Sequence, residues 1–123
     1  MIVVVDDEPN IRETAAFILE MEGFSVVKAC NGEEGLEYIR QFKPKLILLD
    51  VMMPKMDGYT LCHLIKHDPE LSKIFVVMLT AKGQKVDEQK AHEMGADAYM
   101  TKPFDAEEVV WYLRKVFDET KTN

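Results

Sequence analysis

Polar residues capable of phosphoryl chemistry follow four short apolar segments of the chain. These residues are Asp6, Asp7, Asp50, Thr80 and Lys102. Three carboxylates held together repel one another unless they are protonated or neutralised. Oxygen ligands around a hard divalent cation are a common solution, and Mg²⁺ suits a site with few protein ligands and several waters. An ammonium and a hydroxyl could contact the remaining phosphoryl oxygens. The set therefore supports phosphoryl transfer to a carboxylate, which needs positioning and charge neutralisation but no separate general base.

Taken one at a time, these residues have simpler interpretations. Asp6 and Asp7 could form a turn that caps a helix, and a lone aspartate such as Asp50 after an apolar segment is usually a turn residue. Thr80 could be a hydroxyl at a strand end, and Lys102 a solvated surface charge. These interpretations do not explain why all of them follow the ends of predicted strands.

The apolar segments themselves predict the strands of a parallel sheet. They are short, rich in β-branched residues and mostly apolar throughout, which is typical of strands buried on both faces. They cover residues 2–5, 25–29, 46–49, 74–79 and 97–100.

The stretches between these segments carry helix signals. Candidate helix starts are Pro9, Asn31, Asp57 and Asp105, and candidate ends are Gly23 and Gly95. Asn31 and Asp105 are each followed three residues later by glutamate, as in a capping box. A strand followed by a helix, five times over, predicts an α/β fold with an open, doubly wound, five-stranded parallel sheet. An eightfold barrel would need about twice the length.

Composition restricts the function classes. The 123 residues predict one domain, 1–123, in which 118–123 form a polar tail or linker stub. The net charge of −7 argues against direct binding to nucleic acid or to an anionic membrane. The apolar segments are too short to cross a bilayer and no signal peptide is evident, so we expect a cytoplasmic protein. Two cysteines do not form a disulfide framework.

Four runs of the sequence together resemble the receiver domains of two-component response regulators. They are VVVDDEP at 3–9, LLDVMMPKMDG at 48–58, MLTA at 78–81 and GADAYMTKPF at 95–104. Each run alone is a weak signal, but four in this order and spacing are specific, and the likeness covers essentially the whole chain. The resemblance implies a flavodoxin-like (βα)5 fold with strand order 2-1-3-4-5; the chemotaxis receiver is a standard example of that order.

The resemblance also implies a phosphorylation site and a metal site. Asp50 corresponds to the phosphoacceptor. Asp7 corresponds to a direct Mg²⁺ ligand, with Asp6 holding the metal through water. Met52 lies where the family uses a backbone carbonyl as a further ligand. The expected cofactor is Mg²⁺, for which Mn²⁺ can substitute.

Four further positions correspond to the family's switch. Lys102 matches the lysine that pairs with the phosphoryl group, and Thr80 matches the hydroxyl that moves toward it. Tyr99 matches an aromatic residue whose rotamer follows that hydroxyl. Pro103 matches a proline commonly joined to the lysine by a cis peptide bond, a conformation accessible chiefly before proline.

The function implied is a phosphorylation-activated signalling switch, not a turnover enzyme. The expected donor is a sensor histidine kinase or a histidine phosphotransfer protein, and the expected target is a downstream effector or a fused output domain. The chain would act as a monomer or as a phosphorylation-dependent dimer. The changing face would lie around the fourth and fifth strand-helix units.

Three other functions fit parts of the pattern. A hydrolase with an aspartyl-phosphate intermediate would show a second aspartate two residues after Asp50, where Met52 stands. A nucleotide- or flavin-binding domain would need a glycine-rich loop after the first strand, where this chain has acidic residues. A structural adaptor would bind its partner equally well without Asp50.

Overall fold

The predicted apolar segments and helix signals correspond to alternating strands and helices in the structure. The structure is a computed structural model that describes residues 1–53, 55–81, 85–102 and 105–118. Its elements are β1 (Ile2–Val5), α1 (Pro9–Met21), β2 (Val26–Ala29), α2 (Gly32–Phe42), β3 (Leu46–Asp50), α3 (Gly58–Lys66), β4 (Phe75–Ala81), α4 (Lys85–Glu93), β5 (Ala98–Lys102) and α5 (Ala106–Leu113). A π-helical turn, Arg114–Asp118, continues α5 and is called the π-turn below.

The strands form one parallel sheet in the order β2-β1-β3-β4-β5. The predicted fold class and strand order are therefore confirmed. β1 and β3 are buried along their whole length, as their uninterrupted apolar sequences predict.

Helices cover both faces of the sheet because alternate strand residues point to opposite sides. On one face, the strand residues pack against α2, α3 and α4, in a core that includes Val5, Ile39, Met78, Leu61 and Ala91. On the other face, the strand residues pack against α1 and α5, in a core that includes Val4, Leu19, Leu48, Met100 and Leu113. The two cores hold the sheet between two layers of helices.

The helix starts follow the predicted capping chemistry. Pro9 is the first residue of α1. The side chains of Asn31, Asp57 and Asp105 accept hydrogen bonds from backbone N–H groups in the first turns of α2, α3 and α5, at 2.9, 2.8 and 2.9 Å. Each bond satisfies a donor that the helix itself cannot pair. Gly23 follows α1 with a φ of 90°, a left-handed conformation that glycine adopts without strain.

Three strands extend further toward their carboxyl ends than the sequence predicts. The apolar pattern places the ends of β3, β4 and β5 at residues 49, 79 and 100, but the strands end at Asp50, Ala81 and Lys102. The parallel ladder continues because Asp50 pairs with Leu79 and Ala81 pairs with Lys102. The polar residues of these strands are therefore fixed by the sheet itself and do not lie in the loops that follow.

Candidate functional site

Strand register brings acidic and basic side chains to one edge of the sheet. Val5 pairs with Leu49, so the residues that follow them, Asp6 and Asp50, are neighbours across β1 and β3. Alternation along β3 and β5 places Asp50 and Lys102 on the face covered by α1 and α5. The predicted carboxylates and lysine therefore meet at the carboxyl ends of the strands, where ligands of open α/β sheets bind.

Lys102 lies at the centre of the cluster. Its Nζ donates a hydrogen bond to Asp50 Oδ1 at 2.8 Å and lies 3.1 Å from Asp6 Oδ2. Glu8 Oε1, at 3.8 Å, is a weaker and more exposed partner. One ammonium thus faces several carboxylates, and the cluster retains excess negative charge.

Asp50 is buried, with 3% of its surface exposed. Burial raises the pKa of Asp50 to about 7. The hydrogen bond from Lys102 lowers this pKa but offsets only part of the desolvation, and the negative charge of Asp6 raises the pKa further. Burial acts to lower the pKa of Lys102, but the hydrogen bond and charge of Asp50, together with Asp6, outweigh it and the pKa is raised. Lys102 therefore stays an ammonium beside a carboxyl group that ionises with difficulty.

The three aspartates fit a hard divalent cation. One carboxylate oxygen from each of Asp6, Asp7 and Asp50 lies within 4.8 Å of the others. Asp6 is fully buried, and within the described part of the chain its Oδ2 has no hydrogen-bond partner, despite its nearness to Lys102. The Lys102 ammonium at 3.1 Å compensates part of the charge of this oxygen, which still has room for a further ligand. An oxygen-preferring cation would satisfy it, so the donor set fits Mg²⁺.

Three hydrogen bonds fix Asp6, two to its backbone and one to its side chain. Its N–H donates to the carbonyl of Ala29 at 3.1 Å, and Arg12 Nη1 donates to its carbonyl oxygen at 2.9 Å. The N–H of Glu8 donates to Asp6 Oδ1 at 2.9 Å. Sequence reasoning missed Arg12, whose signal was no more than an arginine six residues after Asp6 in the first turns of a helix. Arg12 is a positioning residue, because it acts on the site through Asp6.

The start of α3 packs directly against the backbone of Asp50. A Cβ added to Gly58 would lie 2.1 Å from the Asp50 carbonyl oxygen, and the Gly58 N–H donates to the carbonyl of Val51 at 2.9 Å. The N–H of Met52 donates to Asp50 Oδ1 at 3.3 Å. Only glycine allows this approach, so Gly58 helps to fix the position of Asp50.

The predicted switch residues lie on the opposite face of the sheet. Thr80 is 2% exposed, and its Oγ1 donates a long hydrogen bond of 3.5 Å to the carbonyl of Met100. Tyr99 pairs with Met78 across β4 and β5 and is 41% exposed. Met78 and Thr80 point to the same side of β4. Tyr99 and Thr80 therefore share a face of the sheet.

Two of the predicted features lie wholly or partly outside the described residues. Pro103, and with it the peptide bond to Lys102, is one of them. The predicted tail at 118–123 is the other: Asp118 is the last residue of the π-turn, and 119–123 are outside the description. In the part of the chain that is described, each helix is too short or too polar to span a membrane.

Residues 2–114 match the response regulator receiver domain, and the chain belongs to this family. The general function of the family is a phosphorylation-dependent switch in two-component signalling. Receiver domains generally bind Mg²⁺ at an acidic pocket, as the cluster of aspartates here would allow.

Curated relatives support the assignment. The chain is 41% identical over 119 residues to the DNA-binding dual master transcriptional regulator RpaA of Synechocystis, covering 97% of this chain and 49% of that protein. It is 38% identical over 113 residues to protein PilG of Pseudomonas aeruginosa, covering 92% of this chain and 84% of PilG. The chain thus spans about half the length of regulators such as RpaA.

Solved structures show the same fold. The receiver domain of a signal transduction histidine kinase from Syntrophus aciditrophicus has a TM-score of 0.90 and 34% identity, covering 99% of this chain and 92% of that one. The chemotaxis response regulator CheY4 of Vibrio cholerae has a TM-score of 0.86 and 27% identity, covering 94% and 96%.

Proposed function

We propose that Asp50 accepts the phosphoryl group and that the chain relays this event to a partner. The observation that carries the proposal is the buried contact of Lys102 with Asp50 and Asp6, at 2.8 and 3.1 Å. A structural ion pair would need one carboxylate for one lysine. The excess of carboxylates instead fits a site that binds a cation together with a phosphoryl group.

The reaction requires no general base. The Asp50 carboxylate attacks phosphorus of a phosphohistidine or of a small acyl phosphate. A new O–P bond forms while the bond to the donor breaks, and its electron pair leaves with the imidazole or carboxylate of the donor. Lys102 already contacts Oδ1, so attack through Oδ2 keeps the ammonium beside the transferring group, where it neutralises phosphoryl oxygens.

The metal would be held by Asp6, Asp7 and Asp50, with the backbone carbonyl of Met52 as a further ligand. When bound, Mg²⁺ or Mn²⁺ supplies positive charge to phosphoryl oxygens. Arg12 and Ala29 keep the backbone of Asp6 in place, so the carboxylates are arranged before the cation arrives.

Thr80 and Tyr99 would convert phosphorylation into a change of shape. Thr80 exchanges its long bond to the Met100 carbonyl for one to the phosphoryl group. Tyr99 then turns from its half-exposed position toward the space that Thr80 leaves. A differential free energy of about 5.5 kcal/mol would invert a 1:99 equilibrium between the two states. Their shared face on β4 and β5 is the surface that changes.

The family and its relatives support the following biological setting. A sensor histidine kinase or a histidine phosphotransfer protein supplies the phosphoryl group in the cytoplasm. A downstream effector or a fused output domain receives the signal, and the chain acts as a single domain, 1–123, that is a monomer or dimerises on phosphorylation. The chain itself, with a net charge of −7, does not bind nucleic acid directly.

Incubation with acetyl phosphate and Mg²⁺ tests the proposal. Intact mass should show one added phosphoryl group, which chelation of the metal and Asp50→Asn should each abolish. Glu37→Gln, a change of one charge at an exposed residue of α2, is the control and should label like the unaltered protein. Labelling that survives Asp50→Asn would overturn the assignment of Asp50.

A further inference from the structure

A second recess lies at the opposite edge of the sheet from Asp50. It has a volume of about 440 Å³ and is lined by residues just before β3, at the start of β4 and in the π-turn. Lys45 immediately precedes β3, whereas Asp50 ends that strand. The length of the strand separates the recess from the phosphorylation site, so the two sites differ in position and in chemistry.

The recess concentrates positive charge in an acidic protein. Among the described residues its lining includes Lys43, Lys45, Lys73 and Lys115, against a single carboxylate, Glu70. The whole chain has 22 acidic and 15 basic residues among Asp, Glu, Lys and Arg. Four lysines around one concave surface create a local potential that attracts anions, in contrast to the net charge of the molecule.

Two of these lysines lie in segments whose backbone departs from α-helical geometry. Lys43 caps the end of α2 with a φ of 45°, a left-handed conformation that is rare for a residue with a side chain, and its Nζ lies 3.6 Å from Glu70. Lys115 belongs to the π-turn that continues α5. These local departures from regular helix geometry accompany the basic residues at the recess.

The lining also offers apolar surface. Pro44 and Ile74 are buried, and Val116 is half-buried. The ring of Phe75 is half-buried, and its centroid lies 6.3 Å from the centroid of the Tyr112 ring. Because Phe75 lines the recess, its ring can stack on a planar group that binds there. An inorganic anion would use the lysines but not this apolar part of the lining.

We propose that this recess binds a small phosphorylated compound with a planar aromatic body, of the nucleoside phosphate class. Lys45 and Lys73 contact the phosphates, and Phe75 contacts the planar body. Lys115, whose Nζ lies 5.2 Å from the centre of the Trp111 ring outside the recess, adds only its positive charge. The volume suits a small molecule. Glu70 opposes anion binding, both by its own charge and by its ion pair with Lys43.

Titration of the ¹⁵N-labelled protein with ATP in the presence of EDTA tests the proposal. EDTA keeps divalent metal from bridging ATP to the aspartates. Amide shifts should change at Lys43, Lys45, 73–75 and 115–116. ATP should bind more tightly than pyrophosphate or adenosine, because each of these offers only one of the two contacts.

Charge variants supply the sharper test. Lys45→Gln with Lys73→Gln should weaken ATP binding about tenfold, and Glu70→Gln should tighten it about threefold. Lys28→Gln, an exposed lysine of β2 outside the recess, is the control and should leave the affinity unchanged. All are surface changes, and the unfolding transition of each variant checks that the fold is intact.

Three outcomes would overturn the proposal. The first is that ATP changes only amide shifts at the edge of the sheet that holds Asp50. The second is that Lys28→Gln weakens ATP binding as much as the recess variants do. The third is that the recess binds an acidic peptide but not ATP. Equal affinity for pyrophosphate and ATP would refute the role of Phe75 in binding a planar body.

Discussion

Replacing Asp50 with asparagine should stabilise the metal-free protein. The side chains have nearly the same shape, but asparagine brings no charge to a position that is 3% exposed and close to Asp6. Lys102 keeps Asp6 as a partner at 3.1 Å, so its ammonium is not left unpaired. The substitution therefore removes a desolvation cost and a repulsion while retaining one ion pair.

The magnitude follows from the pKa of Asp50, which burial raises from 3.8 to about 7. A folded-state pKa above the unfolded value stabilises the protein fully below pH 3.8, and this contribution is lost as the pH rises through about 7. A pKa difference of about 3 corresponds to an upper limit of about 4 kcal/mol. We expect about 2 kcal/mol at pH 8, because asparagine also gives up a charged hydrogen bond with Lys102.

Urea unfolding in EDTA at a series of pH values between 4 and 8 measures the effect. The free energy of unfolding of Asp50→Asn should exceed that of the unaltered protein increasingly as the pH rises. Thermal unfolding at pH 8 in EDTA should show a melting temperature about 8 °C higher. Glu37→Gln, on the exposed face of α2, should show no such gain. Mg²⁺ at 100 times its Kd should add about 2.7 kcal/mol to the unaltered protein and less to the variant, which lacks one carboxylate ligand.

The reasoning would be refuted by a variant less stable than the unaltered protein at pH 8 without metal. A gain that is the same at pH 4 and pH 8 would also contradict it, since that gain could not come from ionisation of Asp50. Equal gains for Glu37→Gln would point to the net charge of the whole chain instead of to the buried site.

Three further substitutions probe the residues that position Asp50 and Asp6. Gly58→Ala should lower the free energy of unfolding in urea by at least about 2 kcal/mol, because its Cβ would lie 2.1 Å from the Asp50 carbonyl oxygen. The same variant should be labelled more slowly by acetyl phosphate. If neither value changed, the packing argument would be contradicted. Asp57→Ala should cost about 1 kcal/mol of stability through loss of the α3 cap, while intact mass still shows one phosphoryl group. Arg12→Lys should weaken Mg²⁺ binding about tenfold by calorimetry with little change in stability, since lysine keeps the charge but not the guanidinium contact to the Asp6 carbonyl.

The fold was predictable from the sequence because each of its signals is local. Apolar segments of strand length, separated by capped helices, allow few arrangements other than a doubly wound parallel sheet. The strand ends were not predictable in the same way. By sequence, Asp50 and Lys102 resemble polar residues beyond their strands, yet each belongs to the ladder because a neighbouring strand offers it a backbone partner. Ladder length depends on that partner and not on the residue's own polarity.

The same distinction applies to the candidate site, part of which was predictable from the sequence. That Asp6, Asp50 and Lys102 share one edge follows from their positions after apolar segments. The contact of one lysine with both aspartates does not, because it depends on register and on the alternation of side chains across β1, β3 and β5. Arg12 could not be recognised, since an arginine on an early helical turn is usually a surface residue and its contact is to a backbone carbonyl.

The features that weaken the metal-free fold are the ones the proposed reaction uses. Burial disfavours the charge on Asp50 and leaves Asp6 Oδ2 without a hydrogen bond from the described residues, and a cation relieves both. The same low-polarity surroundings strengthen the attraction of Lys102 for a phosphoryl oxygen. If burial of Asp50 were reduced to gain stability, the site would lose part of its hold on the cation and on the phosphoryl group. The predicted gain in stability of Asp50→Asn and its predicted loss of phosphorylation are therefore two consequences of one buried carboxylate.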